Sequence, residues 1–183
     1  YVAYQDYIWM MELVEQLLEY VAVSVHGKPE FPCGEHTISF KAPFRRMTMY
    51  DAIRDFSGVD VTNMDEAELR AACRAKGLDV NDSMGRGKLI DELFGEFVEP
   101  NLVQPTFITD YPVEMSPLAK AHRSKPGLVE RFELVCNHKE ILNAYSELND
   151  PVDQRARFED QLALKARGDD EAMEMDEDFI RAL

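Results

Sequence analysis

The stretch Arg131–Asp150, RFELVCNHKEILNAYSELND, constrains the fold more than any other part of this chain. It reads as two short strands meeting at Asn137-His138. It also sets three carboxylates, Glu133, Glu140 and Glu147, among apolar residues suited to burial. Taking a charge out of water costs several kcal/mol unless a partner compensates it. Carboxylates on an apolar hairpin therefore call for a bound cation or an ammonium group.

Hairpin geometry sharpens this. A two-residue turn at Asn137-His138 pairs Cys136 with Lys139, Val135 with Glu140 and Glu133 with Leu142. Cross-strand partners share a face, so Glu133 and Glu140 become diagonal neighbours. Two carboxylates so placed can share a divalent cation through oxygen ligands. Farther along, Asn143, Tyr145 and Glu147 alternate and share a face of their own. A ring beside a carboxylate suits a cationic chain, the ring packing on methylenes and the carboxylate pairing with the ammonium. Their parity is opposite to that of Glu140. One pocket using all five residues requires a bulge near Ile141-Leu142, a device common beside active sites. The competing arrangement is a two-faced hairpin with Glu133 and Glu140 solvated and Glu147 satisfying backbone amides.

The remaining elements follow from periodicity and caps. Residues 3–26 predict a long amphipathic helix closed by Gly27. Glu30–Cys33 and Thr37–Phe40 predict a small strand pair across Gly34, and Ala42–Arg46 is extended. Thr48 to Asp51 has the form of a capping box opening a helix over Met49–Phe56 that stops at Gly58. Asp65 to Glu68 opens a second helix ending near Lys76-Gly77, and a third runs from about Gly87 to Val98. Gln104–Thr109 reads as a buried strand with its turn at Asp110-Tyr111-Pro112, followed by a loop over 115–127. Asp150-Pro151 begins a polar helix that breaks at Gly168, and the acidic tail has room for one short helix. This order lacks a βαβ rhythm and favours an α+β fold, an antiparallel β-sheet flanked by helices.

Bulk properties exclude several classes. The chain has 183 residues, long enough for one full core. A formal net charge of −15 argues against independent nucleic-acid binding, which needs clustered Lys and Arg. The cysteines, Cys33, Cys73 and Cys136, form no CxxC pair and fit reduced thiols of a cytoplasmic protein. The histidines at 26, 36, 122 and 138 lack zinc-site spacing. No apolar run is long enough to span a bilayer, so no membrane partner is expected. The first residues, Tyr1-Val2-Ala3-Tyr4, begin in mid-pattern, as expected of a fragment. Gly85-Arg86-Gly87-Lys88 lacks P-loop spacing and reads as a flexible start to a helix. Ser24 and Ser116 have no base at motif spacing. Lys41, Arg45 and Arg46 read as surface charge, the acidic run 174–178 as solvated, and Met10, Met11, Met47 and Met49 as core filler.

Three blocks carry a resemblance: PTFITDYPVEMSPLAK (105–120), RFELVCNHKEILNAYSELNDP (131–151) and GDDEAMEMDEDFIRAL (168–183). In this order they resemble consecutive signatures of bacterial class II lysyl-tRNA synthetases, and the likeness extends through KAPFRRMTMYDAI (41–53). The resemblance implies a partial catalytic domain lying between the second and third class II motifs. Residues 1–61 and 101–183 would belong to that domain and 62–100 to a helical insertion. The anticodon-binding barrel, the first motif, the ATP-clasping arginines and the dimer-forming element would lie elsewhere.

Position by position, the resemblance implies that Glu133 and Glu140 bind Mg²⁺ against the phosphates of ATP. It implies a lysine pocket from Tyr1, Asn143, Tyr145 and Glu147, with Glu147 on the ε-ammonium and the aromatic residue along the aliphatic stem. Many relatives carry Phe where Tyr145 stands. The implied parent is a homodimeric lysine–tRNA ligase. Its substrates would be lysine, ATP and tRNA(Lys), its chemistry would be charge neutralisation and positioning, and the fragment alone would be inactive. Two alternatives stand beside it: a paralogue that lysylates elongation factor P, and a non-catalytic acidic interaction domain derived from a synthetase. SELND and the intact insertion favour the tRNA enzyme.

Overall fold

A computed structural model describes residues 1–169 and 172–183 of the chain. Asp170 and Glu171, part of the predicted acidic tail, lie outside the described residues.

Helix α1 spans Tyr7–His26. It begins later than the periodicity predicts because Asp6 caps it, accepting from the backbone N–H of Ile8 and Trp9 at 3.1 and 3.2 Å. Tyr4, at φ 60°, sits in a left-handed turn just before. Strands β1 (Glu30–Cys33) and β2 (His36–Ser39) form the predicted antiparallel pair. Strand β3 (Arg45–Thr48) leads directly into α2 (Met49–Ser57). The Thr48 hydroxyl accepts from the Asp51 N–H at 3.1 Å, a cap typically worth about 1 kcal/mol. Gly58 closes α2 at φ 74°, a conformation costly for any residue with a Cβ. Helix α3 (Glu66–Ala75) opens with a reciprocal capping box between Asp65 and Glu68, and α4 covers Arg86–Phe97.

After a helical turn at Glu99–Asn101 the chain enters β4 (Thr106–Thr109). The strand starts after Pro105, which has no N–H to give to a ladder. Strands β5 (Arg131–Cys136) and β6 (Lys139–Tyr145) form the hairpin, with Asn137 and His138 at φ 51° and 65° in its two-residue turn. Helix α5 (Pro151–Ala166) is capped by Asp150, and α6 covers Glu177–Ala182.

The four-stranded sheet has the order β3-β4-β5-β6. Pairs β4–β5 and β5–β6 are antiparallel as predicted, but β3 and β4 run parallel. The sheet is therefore mixed, because α2, α3 and α4 form a crossover that returns the chain in the same direction. One face packs on α1 through Tyr7, Met11 and Val14 against Phe44, Phe107, Phe132 and Leu134. The opposite face, bearing Met47, Ile108 and Val135, shares a core with Ile53, Leu69, Leu89 and Leu93 of α2, α3 and α4. Helices predicted as an insertion thus bury their apolar stripes on the same sheet that carries the hairpin. The motif-poor candidates fall into place structurally. Gly85 precedes α4, Arg86 bonds the carbonyls of Met64 and Val61, and Met11, Met47 and Met49 are buried.

Candidate active site

The decisive local feature is the register of β6. Val135 pairs with Glu140, yet Leu134 pairs with Leu142 and Glu133 with Asn143, so Ile141 is an extra residue without a partner. This bulge reverses the parity of everything after it. Glu133, Val135, Glu140, Asn143 and Tyr145 consequently share the sheet face that α4 covers. Without Ile141, Asn143 and Tyr145 would point toward α1.

Glu133 and Glu140 meet at a cleft of about 380 Å³ closed on its other side by Asp91, Glu92, Glu96 and Glu99. Six carboxylates line it and no Lys or Arg does. The Glu133 side chain is mostly buried, whereas Glu140 is exposed. Burial pushes the Glu133 carboxyl above its ordinary range, Arg131 opposes that rise, and the charges of Glu140 and Asp91 add to it. Among the described residues no group of three or more His, Cys, Asp and Glu is arranged to hold a metal. The hard oxygen donors of this pair suit Mg²⁺, which keeps waters and takes one or two carboxylates plus phosphate oxygens.

Asn143, Tyr145 and Glu147 line a second cavity, of about 1020 Å³, together with Tyr1, Asp6, Lys120, Arg123 and Glu130. Glu147 is half-buried and lies in an isolated bridge opposite Ala119. Burial pushes its carboxyl above the usual carboxylate range. Burial likewise raises the Tyr145 phenol, with the Glu147 charge acting in the same sense. Tyr1 lines the cavity with its side chain fully exposed. Glu133, Glu140, Asn143 and Tyr145 thus face one way, but the candidate residues divide between two cavities: Glu133 and Glu140 in one, and Asn143, Tyr145 and Glu147 in the other.

The family described as tRNA synthetases class II (D, K and N) matches residues 1–183. The chain belongs to this class II synthetase family. It is 60% identical over 183 residues to a protein named lysine–tRNA ligase from Porphyromonas gingivalis, covering 100% of this chain and 32% of that relative. It is 59% identical over the same 183 residues to a lysine–tRNA ligase from Christiangramia forsetii, again covering 32% of that relative. A lysine–tRNA ligase from Azobacteroides pseudotrichonymphae is 54% identical, and the chain covers 37% of it. The chain therefore spans about a third of the length of these relatives.

Within this class II chain, the structure adds residues that the sequence reading passed over. Arg131 lines a further cavity, of about 560 Å³, together with Tyr111 and Glu133, its guanidinium 4.5 Å from the ring centre of Tyr111. It donates to Glu133 at 2.5 Å and to Asn143 at 3.2 Å. Tyr111 is buried, with its hydroxyl beside the Glu133 carboxylate. Burial pushes its phenol well above the usual range, and the nearby Glu133 charge adds to that shift. Glu130 and Arg123 form an ion pair at 2.5 Å on the wall of the larger cavity. Arg131 had a signal in the sequence: it stands two residues from Glu133, so both must share a face. Tyr111 and Arg123 had none, because loops carry no period.

Proposed function

We propose that the chain is the part of a lysine–tRNA ligase that carries the lysine pocket and the Mg²⁺-binding carboxylates. The bulge at Ile141 carries this reading. It turns Glu133, Glu140, Asn143 and Tyr145 to one face in a chain closely similar to proteins named lysine–tRNA ligase. Residues 62–100 would be a helical insertion between catalytic-domain parts 1–61 and 101–183.

In this reading Glu147 pairs with the ε-ammonium of lysine, Tyr145 packs along its methylenes, and Asn143 and Tyr1 complete the pocket. Glu133 and Glu140 hold Mg²⁺ at the phosphates of ATP. Mg²⁺ held there would supply charge neutralisation, and the proposed step is attack of the lysine carboxylate on the α-phosphorus of ATP with pyrophosphate leaving. The resulting lysyl adenylate passes its lysyl group to the 3′ end of tRNA(Lys). The acidic cleft fits this division of labour, because it attracts a cation and repels phosphate unless a cation intervenes. The activity is proposed for the longer, cytoplasmic and dimeric parent; these residues alone would form no adenylate. The chain's net charge of −15 leaves tRNA contacts to other parts of that parent.

Glu147→Gln in the full-length parent tests the reading. It keeps the shape and removes the charge. A hydrogen bond to a charged group contributes about 1.5–3 kcal/mol, so kcat/KM for lysine should fall about tenfold to a hundredfold. The KM for ATP should change far less. ATP–pyrophosphate exchange with lysine and ATP varied separately supplies the measurement. Unchanged kcat/KM for lysine, or an equal loss for both substrates, would remove Glu147 from the pocket.

A further inference from the structure

Four of the five N–H donors of the Arg131 guanidinium are directed at protein acceptors on three different segments. Nε donates to Asn143 Oδ1 at 3.2 Å and one Nη2 hydrogen goes to Glu133 Oε1 at 2.5 Å. Nη1 donates to the Met115 carbonyl and the Ser116 hydroxyl, both at 2.8 Å. The plane of the group is fixed by Tyr111, 4.5 Å away. Its anchor is itself held. Buried Arg157 of α5 donates to the carbonyls of Ser116 and Ala119 at 3.3 and 2.7 Å, and pairs with Asp153.

We propose that Arg131 is a positioning residue that locks Glu133 and Asn143 into one frame, so that the metal side and the lysine side of the site keep their relative placement. This rests on the lysine–tRNA ligase reading above. The two residues line different cavities and are cross-strand partners close to a bulge, where the ladder is locally interrupted. Arg131 supplies the missing rigidity. A planar fork bonded to both, and to a loop clamped by α5, fixes their separation and orientation. Lysine at this position cannot do the same, because one ammonium cannot span Asn143, Glu133 and the loop together.

The test uses full-length parent enzyme in lysine-dependent ATP–pyrophosphate exchange. Arg131→Lys keeps a positive charge beside Glu133 but loses the fork. Its KM for lysine should rise about tenfold, the usual loss for one charged hydrogen bond, while its KM for ATP moves much less. Arg131→Ala should raise both, and added guanidinium ion should restore part of the loss. A cycle of Arg131→Lys with Asn143→Ala should be strongly non-additive, which serves even where Arg131→Ala fails to fold. A wild-type lysine KM in Arg131→Lys, or additive effects in the cycle, would overturn the role while leaving the ligase reading intact. Wild-type parent that shows no lysine-dependent exchange would remove the ligase reading and this role with it.

Discussion

Neutralising Glu130 should cost the fold about 2 kcal/mol at neutral pH and only a small fraction of that near pH 2. Glu130 is only 1% exposed and receives Arg123 Nε at 2.5 Å and Nη2 at 2.9 Å. Arg123 also pairs at 2.9 Å with Asp6, the cap of α1, so the cluster ties α1 to the wall of the larger cavity. The Arg123 hydrogen bond, against the cost of burial, holds the Glu130 carboxyl down at about 2 from its ordinary 4.5. At 1.36 kcal/mol per pH unit this amounts to about 3 kcal/mol, and solvent screening around the exposed Arg123 reduces it to about 2. A depressed carboxylate stabilises the fold above its unfolded value and loses that contribution as pH falls through its folded value. Wild type should therefore lose this stability between about pH 4.5 and pH 2, whereas Glu130→Gln should lack that component. Urea unfolding is conveniently followed by the single tryptophan, Trp9, which sits in the first turn of α1. A stability gap between the two proteins that stays constant from pH 7 to pH 2, or no gap at any pH, would refute the reasoning.

Two further outcomes follow from the geometry. Tyr7 is raised to about 12, chiefly by burial and then by the charge of Asp110, so its contribution is complete below about pH 10 and lost as pH rises through about 12. Tyr7→Phe should abolish that alkaline loss in denaturation curves, at a cost of about 1 kcal/mol at pH 7 from the lost bonds to Asp110 and His122. Deleting Ile141 should restore an unbroken ladder and turn Asn143 and Tyr145 toward α1. Lysine-dependent exchange by the parent should then fall by roughly tenfold or more, a loss of at least about 1.5 kcal/mol as the contacts of Asn143 and Tyr145 to lysine are removed. Retained lysine use would show that the bulge does not build the pocket.

What was legible in the sequence was local. Thr48, Asp65 and Asp150 announce their helices because a cap is a bond between a side chain and an amide two or three residues on. Asn137-His138 announces a tight turn because Asn tolerates a left-handed backbone. The parallel pairing of β3 with β4 was not legible. It depends on how three helices pack, and no window of sequence holds that information. The acidic cleft was half legible. Glu133 and Glu140 stood out by their apolar surroundings, but Asp91, Glu92 and Glu96 of α4 and Glu99 in the turn after it join them only through the packing of α4 over the hairpin.

The bulge shows why the site could be inferred only in part. Strand periodicity and a two-residue turn, taken alone, place Glu133 opposite Leu142 and leave two sets of polar residues on opposite faces. Either the polar sets are unrelated or one residue is unpaired, and local propensity cannot choose between them. Burial can. The α1 side of the sheet is occupied by an aromatic cluster, Phe44 tilted against Phe107 at 5.7 Å and Phe107 edge-on to Phe132 at 5.1 Å. Placing Asn143 and Tyr145 there would set an amide and a phenol against rings that offer no hydrogen bonds. Leaving Ile141 unpaired, 46% exposed, costs far less than that burial. The aromatic core on one face thus forces the polar residues to the other, where Arg131 and the carboxylates can meet them.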